Sequence, residues 1–214
     1  MSKKENEIDL SRRKFLKMVS IGSAVVALGA FAPSLSYIVA PTIGVSEFPA
    51  LTLVDSSGNP IKASTIAVNN PQIVLFDYPL LNEPNFLLNL GKSVPGGVGP
   101  QNSIVAYSAI CEHLGCLPPS IKFYPPGSPP IDGYTSYIHC SCHGSTFDPF
   151  NRCSIITSPT TKPLPMVVLT YDSSTDTLQA VKMNGPVIYG HTDDLTGGSP
   201  PKGNTAPVTT LNNQ

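Results

Sequence analysis

Cysteines and histidines crowd into two short segments of this chain, and they are the residues best equipped for chemistry. "AICEHLGC", Ala109 to Cys116, carries Cys111, His113 and Cys116; "YIHCSCHGSTFD", Tyr137 to Asp148, carries His139, Cys140, Cys142 and His143. Thiolate and imidazole are metal donors, but the metal depends on number and spacing. Structural zinc takes four Cys/His ligands, usually as Cys-x2-4-Cys with His-x3-5-His. Neither segment has that spacing, and the two together offer more than four donors. A pair of disulfides suits an oxidising compartment, yet it leaves the histidines and the flanking glycines without a task. An iron–sulfur cluster is the third reading. Neutral imidazoles in place of two thiolates make a two-iron cluster less negative, so it accepts an electron more readily and its potential rises.

Cys-x-His-x-Gly-Cys followed by Cys-x-Cys-His-Gly-Ser resembles the Rieske iron–sulfur proteins, of the high-potential type found with cytochrome b in quinol-oxidising complexes. The resemblance implies one [2Fe-2S] cluster per chain, with Cys111 and Cys140 on one iron and His113 and His143 on the other. It further implies a disulfide between Cys116 and Cys142. Gly115 and Gly144 would let the backbone turn beside the cluster, and Ser145 would donate to a cluster sulfide. Leu114 would shield the cluster and help form the quinol-facing surface. His143 would be the catalytic contact, meeting the quinol and taking its proton. High-potential members usually carry a tyrosine two positions after that serine, where this chain has Phe147.

Other residues near the loops receive quieter readings. Alternation along a strand turns His139 away from Cys140. Glu112 reads as a solvated charge and Cys153 as a buried or idle thiol. "LPPSIKFYPPGSPPIDGYTSY", between the loops, reads as a surface insertion. "SPTTKPLP", Ser158 to Pro165, stands where the family has a proline-rich loop over the cluster, without the usual Gly-Pro-x-Pro.

The elements that must position the loops are short and β-like. "LTLV", "QIVLFDY", "SIVAYSAI", "YTSYIHC", "MVVLTYD" and "TLQAVKM" are rich in β-branched and aromatic residues and are bounded by turn formers such as "DSSGNP" and "SSTD". Only "LLNEPNFLLNL" suggests a short turn of helix. The fold class is all-β. By resemblance it is the Rieske fold of antiparallel sheets with a cluster-binding subdomain. Both Cys/His segments fall where a strand ends, so two loops can converge on one point.

Farther out, "SRRKFLK" resembles a twin-arginine export signal, and Met18 to Ala40 is an apolar run without a charge. At 1.5 Å per residue that run can cross a bilayer as a helix. Basic residues on its N-terminal side place the following chain outside the cytoplasm. The expected organisation is a basic tail over 1–17, a transmembrane anchor over 18–40, a hinge over 41–50, a Rieske domain over 51–190 and a flexible tail over 191–214. This makes a single-pass protein of the cell membrane. A net charge of −1 excludes a broadly basic nucleic-acid binder. The resemblance implies an electron-transfer subunit of a quinol:acceptor oxidoreductase. Its partners would be a cytochrome b-type subunit, quinol, a downstream haem or copper acceptor, and membrane lipid around the helix. The alternatives are the small Rieske subunit of an arsenite-oxidase-like molybdenum enzyme and a soluble Rieske ferredoxin.

Overall fold

The structure is a computed structural model that describes residues 46–185, 199 and 201–211. Among these residues eleven strands follow one another: β1 (Ser46–Val54), β2 (Ile73–Asp77), β3 (Pro84–Asn89), β4 (Ile104–Ser108), β5 (Ile121–Tyr124), β6 (Tyr137–Cys140), β7 (Thr146–Asp148), β8 (Ser154–Thr157), β9 (Met166–Asp172), β10 (Thr177–Asn184) and β11 (Thr205–Leu211). Seven of them close a barrel in the order β1-β10-β9-β4-β3-β2-β11, and β5-β6-β7-β8 form a separate four-stranded sheet. Only a 3₁₀ turn, Ala63–Thr65, breaks the all-β pattern among the described residues.

The small sheet is an excursion of the chain between two barrel neighbours. β4 and β9 pair antiparallel, Ala106 opposite Val167 and Tyr107 opposite Met166, and the whole of residues 109–165 lies between them in sequence. Alternation along the shared barrel strands then feeds two cores. Ile104 and Ala106 of β4, with Phe76 and Leu87, join the barrel interior. Val105 and Tyr107, with Leu75, Phe86 and Leu88, pack instead with Ile121, Phe123, Ile138 and Phe147 of the small sheet. The strands β2 to β4 are thus a wall with a core on each side.

That double burial explains one misleading stretch. "LLNEPNFLLNL" is no helix: its Pro84–Asn89 portion is β3, whose central four residues are all buried. A strand apolar on both faces loses the period-two signature and resembles a helical run.

Two boundaries also move. β1 begins at Ser46, with Ser46 opposite Met183 and Glu47 opposite Lys182, so the strand takes residues 46–50 from the expected hinge. An irregularity in register between Glu47 and Leu51 accommodates Pro49 there. At the other end, the expected flexible tail contains β11. It pairs parallel with β1, Leu53 opposite Ala206, and antiparallel with β2, Val208 opposite Phe76. Its polar composition hid it, because only Ala206 is buried; its backbone satisfies the open edges of β1 and β2. The export signal, the apolar run over 18–40 and the first part of the hinge lie outside the described residues. Among those described, no helix is long and apolar enough to cross a membrane.

Candidate metal centre

The two Cys/His segments fold into loops with the same backbone frame. Cys111 N–H donates to the Cys116 carbonyl (2.9 Å) and Gly115 N–H to the Cys111 carbonyl (2.8 Å). In the second loop, Cys140 N–H donates to the Ser145 carbonyl (2.9 Å) and Gly144 N–H to the Cys140 carbonyl (3.0 Å). Each loop reverses at its fifth residue, where Gly115 has φ 75° and Gly144 φ 91°. That left-handed conformation is the reason for glycine. At Gly144 space is not the constraint, since a Cβ there would meet nothing within 4 Å.

Equal frames bring equivalent cysteines together. Cys111 and Cys140, each about 1% exposed, open the two loops. The Cys111 thiol donates to the Cys140 sulfur, which pushes Cys111 up and lowers Cys140 to about 6. Backbone N–H groups of Cys142 and His143 donate to Cys140 and lower it further, while those of His113 and Leu114 donate to Cys111 and offset part of its rise. The Cys140 sulfur, so surrounded by donors, is prepared to carry negative charge.

The histidines meet as well. The rings of His113 and His143 stand edge to face with centroids 4.9 Å apart. His113 is half-buried and its Nδ1 is buried without a hydrogen-bond partner. In the tautomer that carries its proton on Nε2, that Nδ1 has a lone pair to offer. His143 is exposed, and beside it in the loops Leu114 is 55% exposed. Cys116 and Cys142 form a disulfide linking the loops, within reach of Cys140, whose sulfur lies within 4.8 Å of both. The disulfide removes those two from the ligand count. Two sulfurs and two imidazoles remain, a donor set that fits a metal centre.

The surrounding residues hold two confirmations and two corrections. His139 turns away as alternation requires; its Nδ1 is 2.9 Å from Thr146 Oγ1, and burial lowers its pKa. Glu112 is not solvated. It is 2% exposed and accepts a hydrogen bond from the Thr160 hydroxyl at 2.8 Å. Its charge alone does not reveal that burial. The stretch between the loops is only partly a surface insertion, because β5 lies in it, pairing with β6 and burying Ile121 and Phe123. Ser145 is buried and accepts from Thr160 N–H at 3.2 Å. Thr160 therefore belongs to the site; it lies in "SPTTKPLP", the segment expected over the cluster, although nothing there singles out this residue. Cys153 is fully buried, and burial raises its thiol pKa.

Comparison with known proteins places these loops in context. Residues 62–171 match the family model described as the Rieske [2Fe-2S] domain. Iodate reductase subunit IdrB from Denitromonas iodatirespirans is 29% identical over 193 residues, covering 88% of each chain. The cytochrome b6-f complex iron-sulfur subunit from Trichodesmium erythraeum is 27% identical over 193 residues, 89% of this chain and 92% of that one. Among solved structures, the soluble domain of the Rieske protein II (soxF) from Sulfolobus acidocaldarius aligns with TM-score 0.48 at 28% identity, over 64% of this chain and 78% of that one.

Proposed function

From the premise that this chain belongs to the Rieske [2Fe-2S] family and binds one such cluster, we propose that it is the electron-transfer subunit of a quinol-oxidising, cytochrome bc-type complex. Cys111 and Cys140 hold one iron, and His113 and His143 the other. When bound, the cluster supplies one-electron chemistry, in the family range of about −150 to +300 mV. The observation that carries the reading is the asymmetry of burial: both cysteines are buried, whereas His143 and Leu114 are exposed. An imidazole at the surface can accept a hydrogen bond from a quinol hydroxyl and hold the proton that leaves with the electron. Leu114 offers the apolar contact that excludes water from that hydrogen bond. Ser145 donates toward the cluster, and Gly115 and Gly144 keep the loops tight around it.

In this reading the apolar run over 18–40 anchors the chain in the membrane after twin-arginine export, and the domain works on the extracytoplasmic side. Its partners are a cytochrome b-type subunit and a downstream haem or copper acceptor. The relative of cytochrome b6-f name, matched over nine-tenths of both chains, supports this choice. A second reading is the small Rieske subunit of an arsenite-oxidase-like molybdenum enzyme, which the iodate reductase relative favours. A soluble ferredoxin, which by the resemblance usually lacks the second cysteine of each loop, is disfavoured by the disulfide between the loops.

The test is purification of the tagged chain from its native membrane, followed by quinol addition under EPR. A b-type haem subunit should co-purify, and quinol should reduce the cluster. Co-purified molybdenum with a cluster indifferent to quinol would transfer the chain to the second reading.

A further inference from the structure

One residue outside the two loops is bonded to both. Thr160 lies in the segment between β8 and β9 and is 3% exposed. Its hydroxyl donates to Glu112 Oε2 at 2.8 Å, with the Lys162 carbonyl 3.0 Å away. Its N–H donates to Ser145 Oγ at 3.2 Å. Glu112 stands between Cys111 and His113 in the first loop, and Ser145 closes the second. Thr160 thus ties a third segment to each of the loops that meet at the metal centre.

Ser145 gives the tie a chemical consequence. A hydroxyl has one hydrogen and two lone pairs, and its hydrogen rotates to suit its neighbours. Ser145 is 1% exposed, and the hydrogen bond from Thr160 N–H engages its oxygen from one side. That bond is the only one its hydroxyl makes among the described residues, so its own hydrogen is left without an acceptor among them. A buried donor in that state is costly unless something in the site receives it. We propose that Thr160 is a positioning residue of the redox centre: the hydroxyl anchors it to Glu112, and the anchored N–H orients Ser145 so that the serine hydrogen points into the site. The inference rests on the reading that the two loops hold the cluster. It adds a residue through which the third segment acts on cluster potential.

The test compares full-length holoproteins by redox titration, EPR and cluster loss to a chelator. Thr160→Val keeps the N–H and the shape but removes the anchor. It should lower the midpoint, because a misaligned Ser145 no longer favours the more negative reduced cluster, and should speed cluster loss about tenfold. Thr160→Ser keeps the hydroxyl and should restore both values. Added to Ser145→Ala, Thr160→Val should cause no further midpoint shift, since both act through one hydrogen bond. A wild-type midpoint in Thr160→Val, a Thr160→Ser protein as perturbed as Thr160→Val, or additive shifts would each overturn the proposal. Hydrogen exchange in Ser145→Ala needs no Thr160 variant: the Thr160 amide should exchange faster once its acceptor is gone, and unchanged protection would overturn it equally. Failure of the underlying reading looks different. There, Cys111→Ser and His113→Ala would keep the cluster, whereas failure of this inference alone leaves those variants without it.

Discussion

At Phe147 a single missing oxygen separates this chain from the pattern that its loops resemble. The ring is fully buried in the core that also contains Cys111 and Cys140. A tyrosine hydroxyl there would donate to a cysteine sulfur and stabilise the reduced, more negative cluster more than the oxidised one. A differential of about 1 kcal/mol corresponds to roughly 40 mV for one electron. Phe147→Tyr should therefore raise the midpoint potential by some tens of millivolts at unchanged cluster content. Redox titration checks this, and a midpoint that stays or falls defeats the hydrogen-bond account. Cys153 offers a contrasting residue. Burial raises its pKa, so the nucleophilic thiolate is suppressed in the folded protein. Mild alkylation of the oxidised holoprotein should leave Cys153 untouched until denaturant is added, as peptide mass mapping can establish. Labelling in the folded state would contradict its burial.

Elements show how the centre is held. The two loops repeat one hydrogen-bond frame but differ in side chains: His113 is third in its loop and His143 fourth. The disulfide between Cys116 and Cys142 spans 26 residues, and closing such a loop restricts the unfolded chain by about 3 kcal/mol. Cys116→Ala should lower the unfolding free energy of the metal-free protein by about that much in urea, and the holoprotein should lose its cluster faster. An unchanged urea midpoint would mean that the bridge constrains nothing. β11 holds the barrel in a similar way, by bridging β1 and β2. Ending the chain after Gly203 would expose both strand edges and their unpaired backbone groups. The truncated protein should melt about 10 °C lower or aggregate, read by thermal unfolding and size exclusion. A wild-type melting curve would show that the barrel does not need its last strand.

The molecule as a whole separates stability from redox work. The barrel interior contains none of the loop residues, whereas the second core includes Cys111 and Cys140. Removing iron should therefore act locally. Hydrogen exchange after chelation should accelerate over residues 109–120 and 140–165 and stay unchanged in β10, whose Leu178 and Ala180 sit in the barrel core. Equal acceleration throughout would show that the cluster supports the whole fold. The intact protein should contain two irons and two acid-labile sulfides per chain without zinc, measurable by elemental and sulfide analysis.

The metal chemistry was legible in sequence because donor type and local spacing are properties of contiguous residues. Six of the strands were legible too, since their β-branched runs and turn residues are local signals. What lay beyond local signals needed the fold. β3 was obscured because both of its faces are buried, and β11 because its partners lie more than a hundred residues away along the chain. Glu112 and Thr160 are joined across 48 residues, so their hydrogen bond could not be read from the neighbours of either. Composition alone made Glu112 a surface charge; the folded chain buries it against the Thr160 hydroxyl. Sequence determined which atoms could bind a cluster. The tertiary structure decided which end of the site meets solvent and which buried hydrogen bonds aim the loops, because exposure and long-range contact exist only once the chain has packed.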